Sequence, residues 1–282
     1  MPPTDAPPIS SPDHAAPDYG QMPLRRFGRI NWLGTATLAE REIRRFMSVW
    51  QQTVLAPLIT AGLFVVVFVV ALGSGRGEVM GLPFVEFIGP GILMMTVIQT
   101  GFANSSSSLI SAKMQGNIID TLMPPLSAAE ILAGYLTGSL VRSLMVAAVI
   151  SAGLALVVGH GPAHPLLALL YIVLGALLLG GLGILGGIIA QKFDHMATLT
   201  NFVVTPLSFL SGTFYSVQAL PEPFRTLSHW NPIFYLIDGA RYGFAGVGDA
   251  PVLRGLAVSV VSVAAVNGLC WWWLRTGYRM KP

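Results

Sequence analysis

The feature that most limits what this chain can become is a succession of apolar runs, each close to the length of one bilayer crossing, separated by short polar stretches. A helix needs about 20 apolar residues to cross about 30 Å of hydrocarbon. Within that layer every backbone N–H and C=O must be satisfied inside the segment, which favours helices. Runs of this kind fall at Val54 to Gly73, Phe84 to Ala103, Tyr135 to Val158, Leu166 to Ile189, Leu199 to Val217 and Val252 to Leu274. They predict an all-α integral membrane protein with six transmembrane helices. Composition agrees, because 53% of the 282 residues are hydrophobic and only 10% charged, against about 25% charged in soluble proteins. Little chain is left for a globular domain, so 34–282 reads as one transmembrane domain.

Ahead of it, Met1 to Pro23 carries seven prolines with Ser, Asp and Gly and few apolar residues to offset the entropy of ordering. Residues 1–33 are expected to be a disordered, Pro-rich cytoplasmic tail. The first long apolar run begins only at Val54, too late for a cleaved signal peptide, so the first span should be retained. Between tail and span, Thr35 to Gln52 has the pattern of an amphipathic interfacial helix. Leu38, Ile43, Phe46, Val49 and Trp50 form its apolar side, Arg41, Arg44 and Arg45 its polar side, and Thr37 and Glu40 stand at capping-box spacing.

Charge then sets the orientation. Arg25, Arg26 and Arg29, the helix arginines, Lys113, Lys192 and the Arg275, Arg279, Lys281 tail share one side of a six-span layout. The opposite side has Arg76 in its first loop and no Lys or Arg between His160 and His164. The positive-inside rule places the basic side, with both termini, in the cytoplasm. A net charge of +3 and a pI near 9.2 are therefore topology signals, not the footprint of a nucleic-acid surface.

Two polar interruptions stand out. Ala112 to Ser127, AKMQGNIIDTLMPPLS, places Met114, Ile118 and Leu122 at helical spacing, with Lys113, Asn117, Asp120 and Thr121 elsewhere, until Pro124 and Pro125 end the pattern. About three turns of amphipathic helix are too short to cross a bilayer, so this segment should lie on the cytoplasmic surface or dock into a partner. On the other side, Leu220 to Ala250 is longer than a turn requires. Its apolar pieces are too short to span, and Pro221, Pro223 and Pro232 interrupt it, which predicts short helices dipping into the outer leaflet as an external gate. Asp238 and Arg241 are three apart, a spacing that fits a local ion pair or a part in gating.

Other motifs narrow the chemistry. Gly181-Leu-Gly183-Ile-Leu-Gly186 matches a dinucleotide fingerprint literally, but it sits inside an apolar run with no strand before it. With Gly175, Gly180 and Gly187 it instead offers a small-residue surface where helices, or two copies, can approach closely. No GxxxxGK[ST] occurs, so ATP has no P-loop here. Cys270 is the single cysteine, the histidines are scattered, and no Ser, His and acid set gathers on one side, so neither a metal site nor an enzyme centre is expected. Arg142 lies inside the third span and is expected to snorkel or pair, while Glu86 and Arg254 mark outer span ends.

Phe84 to Val146, including FANSSSSLISAKMQGNIIDTLMPPLSAAEI, resembles the membrane subunit of ABC-2 type bacterial exporters, most closely the YadH-like branch. Pro206 to Phe244 is similar to that family's second block, with Ser211-Gly212, Leu220-Pro221, Asn231-Pro232, Asp238 and Arg241 in place. The resemblance covers about Thr35 to Leu274. It implies a six-span permease of the bacterial cytoplasmic (inner) membrane that pairs with a second copy. Each copy engages a separate ATP-binding ABC subunit, two in all, which carries ATP and Mg, so the permease binds no cofactor directly. The family's coupling helix maps onto Ala112 to Leu122, giving Lys113, Met114, Gln115, Asn117, Ile118, Asp120 and Leu122 as contact residues, and its external re-entrant segment onto Asn231, Pro232, Asp238 and Arg241. With an apolar path and external aromatics such as Phe214, Tyr215, Trp230 and Phe234, the expected cargo is hydrophobic or lipid-linked. A self-sufficient secondary transporter or channel is the alternative; it calls for ionisable residues near the midplane and for internal repeats.

Overall fold

The apolar runs fold as helices, and the computed structural model describes residues 30–72 and 78–279, with the side chains of 69–72 excepted. The expected tail up to residue 29, with Arg25, Arg26 and Arg29, lies outside the described residues, as do Arg76 and Lys281. The order is α1 (Trp32–Met47), a π turn (Gln51–Leu55) leading into α2 (Ala56–Leu72), α3 (Phe84–Met114), α4 (Ile118–Leu122), α5 (Ala128–Val158) and α6 (Pro165–Ile189). It continues through α7 (Phe193–Leu199), a second π turn (Thr200–Val204), α8 (Thr205–Leu210), a 3-10 turn (Val217–Ala219), α9 (Phe224–Trp230), α10 (Pro232–Ala245) and α11 (Val252–Thr276). Among the described residues there is no strand, only an isolated bridge between Val79 and Leu82.

Five helical segments are long and apolar enough to cross a membrane: Gln51–Phe68, α3, α5, α6 and α11. At 1.5 Å per residue, α3 and α5 run about 46 Å, longer than the hydrocarbon layer. The expected fifth span, Leu199 to Val217, is helical only to Leu210 and then turns through Ser211 to Ser216. Gly212, at φ +80°, takes a left-handed conformation that ends it. The continuous stretch from Phe193 to Leu210 is about 27 Å long and carries Asp194, His195, Thr200, Asn201 and Thr205, and it is not among the five. It does connect the two ends of the bundle: Met196 packs beside Gly186 at the end of α6, while the Gly212 carbonyl meets Arg241 at the other end.

α3 and α6 are the centre, buried along most of their length, whereas α2, α5 and α11 turn most of their apolar surface outward. Leu156, Leu166 and Leu253 are almost fully exposed, the pattern expected of lipid-facing helices. The small-residue surface on α6 is used inside the chain. A Cβ on Gly183 would sit 2.5 Å from the Phe102 carbonyl oxygen of α3, and one on Gly187 would sit 2.9 Å from Leu109 Cβ. These glycines set the α3–α6 separation.

A helix with an amphipathic pattern is present as α1, but it runs from Trp32 to Met47 and not from Thr35 to Gln52, and its cap and buried face also differ from the expectation. Its cap is not the Thr37–Glu40 pair but Asn31, whose side chain accepts from the Gly34 N–H at 2.9 Å. The Thr37 hydroxyl donates to the Leu33 carbonyl, and Glu40 pairs with Arg44. Asn31 lies seven residues before Leu38, the first residue of the apolar pattern, so the periodicity does not reach the cap. Leu38, Glu42 and Phe46 form the buried face, and Val49 and Trp50 lie beyond the helix end and are exposed. α1 packs on α5 where Gly134 and Gly138 leave room for Leu38 and Glu42.

Candidate functional site

One end of the bundle gathers the C-terminus of α3, α4, the N-terminus of α5, the C-terminus of α6 and helix α1. The single three-turn helix expected over Ala112 to Leu122 is broken. α3 continues through Met114, Gly116 turns left-handed at φ +74°, and α4 starts afresh at Ile118 for little more than one turn. The polar Gln115-Gly-Asn117 step is what ends the first helix, since a glycine at positive φ closes a helix at little cost. The predicted Met114–Ile118–Leu122 stripe is thereby split. Ile118 is 2% exposed and packs with Leu38, Leu109 and Ile131, while Met114 and Leu122 face outward. Gln115, Asn117 and Asp120 are exposed. So are Ile119 and Met123, which the helical spacing did not single out and which only a fresh register from Ile118 places outward.

Lys113 points the other way. Its ammonium donates to the carbonyls of Gly187, Ile188 and Ala190 at 3.2, 2.7 and 3.1 Å. It thereby closes the C-terminus of α6, where unsatisfied carbonyls and the helix dipole favour a cation.

The segment after α4 is fastened by a capping box at Ser127 and Glu130 on α5. Glu130 accepts from the backbone N–H groups of Ser127 and Asn31, at 2.6 and 2.5 Å, so one carboxylate ties the start of α5 to the start of α1. The Ser-x-x-Glu spacing was there to be read, whereas the second donor, 99 positions away, was not. Arg41 of α1 donates to Thr121 of α4 at 3.0 Å. Arg45 donates to the backbone and side-chain oxygens of Asn104 on α3 at 3.0 and 3.1 Å. Between these arginines Glu42 is buried, 3.4 Å from Arg41 and 3.3 Å from Arg45. Helix α1 is thus bonded to α3, α4 and α5 at once.

The opposite end is built around Asp238 and Arg241 of α10. They form an ion pair at 3.7 Å, almost wholly buried and not on the helix surface that their spacing suggested. Asp238 accepts from the Asp249 and Ala250 N–H groups at 2.7 and 2.9 Å, which pins the loop before α11. Arg241 donates to the carbonyls of Phe87 and Gly212 at 3.2 and 2.5 Å and stacks over the Phe87 ring at 4.1 Å. Asn231 caps α10 by accepting from Ile233, and its amide donates to Ser211 at 2.8 Å, with Pro232 in the first turn. All four predicted residues therefore lie in one joint between α10, α3 and the turn after α8. Asp249, which also accepts from Ser216 and Val217, completes it and was missed. Glu86 stands 3.6 Å from His160, and Arg254 lies over Tyr235. Among the described residues no cluster of three or more His, Cys, Asp or Glu side chains has metal-holding geometry.

Comparison with known proteins places this architecture. A family model described as ABC-2 type transporter matches residues 34–245. The Inner membrane transport permease YadH of Escherichia coli K12 is 38% identical over 252 residues, covering 89% of this chain and 98% of that protein. Its counterpart of the same name in Shigella flexneri matches with the same figures. Nodulation protein J of Rhizobium leguminosarum bv. viciae is 24% identical over 246 residues, 84% of this chain and 90% of that protein. With a family match over most of its length and relatives similar almost end to end, the chain belongs to the ABC-2 type transporter family, as a membrane permease.

Proposed function

We propose that this chain is the transmembrane subunit of an ATP-driven exporter of the bacterial cytoplasmic membrane, moving a hydrophobic or lipid-linked substrate. In this reading Phe193–Leu210 also crosses, fifth in chain order and bringing the total to six, α1 lies along the cytoplasmic interface and both termini are cytoplasmic. α9 and α10 form a re-entrant pair at the outer face. Two copies of the chain pair, and two ATP-binding subunits, carrying ATP and Mg, engage them. The observation that supports this most is α4: a short, exposed turn of helix held out between two long apolar helices and braced by α1. Nucleotide-driven closure of the partner subunits would push on α4, and the motion would pass as rigid-body tilting into α3 and α5. Met114, Ile119, Leu122 and Met123 would supply the apolar contact, with Gln115, Asn117 and Asp120 at its polar rim, the usual division of an interface. Ile118 would act from behind, seating α4 on the bundle.

The test is Asp120→Lys in the full chain co-expressed with its ATP-binding subunit. Membrane insertion is expected to be unchanged, while co-purification of the ATPase or substrate-linked ATP hydrolysis falls. Coupling equal to wild type would count against the assignment. Transport that stops when the ion gradient is dissipated at constant ATP would favour a secondary transporter instead.

A further inference from the structure

We infer that the groove between α2, α3, α5 and α8 binds the anionic headgroup of an amphipathic molecule, with Arg142 as its charge partner. The proposal rests on the permease reading and adds the chemical class of a molecule that this groove would hold.

The groove encloses about 520 Å³, within the range of small-molecule sites. Its lining is mixed. Gln99, Thr100 and Arg142 offer polar groups, and Phe64 and Phe209 offer apolar surface for a tail. Arg142 stands about 21 Å along α5 from Ala128, well inside a candidate span. A cation at such depth costs about 2.5–3.5 kcal/mol on insertion scales and normally carries a function or a partner.

The partners of Arg142 do not balance its charge. Among the described residues no carboxylate lies within salt-bridge distance of it; Glu42 pairs with Arg41 and Arg45. Among the described residues its one hydrogen bond is from Nη1 to Asn104 Oδ1 at 3.4 Å, and Arg45 already donates to that same oxygen at 3.1 Å. Arg142 Nε and Asn104 Nδ2 are buried without an acceptor behind the groove wall, so Asn104 has no spare oxygen with which to balance the guanidinium. Among the described residues the Gln99 amide has no hydrogen-bond partner either, although it lines the groove. Two arginines thus converge on one neutral amide oxygen, and the Gln99 amide on the groove wall has no partner. Such a surplus of positive charge and donors calls for an acceptor with more than one oxygen and a negative charge, which a phosphate or carboxylate headgroup supplies. The adjoining rings give the rest of such a molecule an apolar wall.

The experiment uses the full chain in phosphatidylcholine nanodiscs without an ATP-binding subunit, so failure here leaves the permease reading standing, and a failure of ATPase coupling leaves this result intact. Calorimetric titration compares octyl phosphate with octyl glucoside and inorganic phosphate. Octyl phosphate is expected to bind saturably and the other two weakly or not at all. Arg142→Gln should weaken octyl phosphate binding about tenfold or more, as loss of a charged hydrogen bond does. Arg142→Lys should weaken it by roughly threefold, because the charge remains but the fork is lost. Gln99→Glu leaves Arg142 in place and adds an opposing charge to the groove, so it should also abolish most of the affinity even if Arg142→Gln fails to fold. Arg254→Gln, outside the groove, should bind as wild type. Octyl phosphate affinity unchanged in Gln99→Glu, or octyl glucoside binding as tightly as octyl phosphate, would overturn the proposal. Inorganic phosphate binding as tightly as octyl phosphate would overturn it in favour of a free-anion site.

Discussion

Arg241 carries a full charge in a completely enclosed position, and each part of its side chain is answered: a carboxylate, two carbonyls and an aromatic face. A buried ion pair is weak evidence of stability when replaced whole, but breaking it from one side leaves an uncompensated charge. Arg241→Met removes the charged partner of Asp238 and takes away the donors that reach the Phe87 and Gly212 carbonyls, so it should cost about 3–5 kcal/mol. Arg241→Lys keeps the charge but replaces a planar fork by a point donor, which cannot meet both carbonyls and the ring face together, and should fall between. Thermal unfolding of the purified full chain orders the three proteins; equal midpoints would show that the pair does not hold this end together. The pairing itself was legible from a spacing of three. Its burial was not, because Phe87 lies 154 positions away in the chain and no local pattern refers to it.

At the scale of elements, the sequence is most readable where one rule governs and least where two compete. The glycine-rich face of α6 has a single reading inside an apolar helix, close approach, and the approach is there against α3. Gly183→Ala would push a methyl group into the Phe102 carbonyl, a backbone atom that cannot swing aside, so about 1–3 kcal/mol of overpacking is expected. Gly153→Ala on α5 meets nothing within 4 Å, and should be neutral or stabilising by up to about 1 kcal/mol from helix propensity. Melting temperatures of the pair separate packing from propensity; an equal response in both would mean that the α3–α6 distance is not set by Gly183. Ala112 to Leu122 is the contrasting case. A four-residue apolar spacing argues for one helix and the Gln-Gly-Asn step argues for a break, and only the φ of Gly116 decides between them. Likewise the end of Phe193–Leu210 depends on Gly212 and on the bonds of Ser208 with Thr213 and Asn231 with Ser211, which are tertiary choices that apolar length cannot encode.

Across the whole molecule, the proposed function requires a push on α4 to reach the long helices. α4 is too short to transmit force along its own axis, and it joins α3 and α5 through turns at Gly116 and Pro124-Pro125. The direct bridge is α1. It grips α4 through Arg41 and Thr121, α5 through Asn31 and Glu130, and α3 through Arg45 and Asn104, with Glu42 neutralising part of the charge between the two arginines. Of these, the Arg45 link is the one that joins α1 to the central helix without touching α4. Arg45→Gln shortens the side chain, removes its charge and breaks both bonds to Asn104, but leaves the exposed residues of α4 as they were. If α1 is a strut between the coupling surface and α3, the ATP-binding subunit should still co-purify with Arg45→Gln to the wild-type extent, while substrate-stimulated ATP hydrolysis falls about fivefold or more, a coupling energy of about 1 kcal/mol or more. That split distinguishes a strut from a docking residue, whose loss would reduce both readouts together, and from a passive surface helix, whose change would alter neither. Glu42→Gln should reproduce the split more weakly, since Arg45 would keep its bonds to Asn104 and lose only the carboxylate that orients it. Loss of co-purification in Arg45→Gln would instead move α1 from the transmission path to the interface itself.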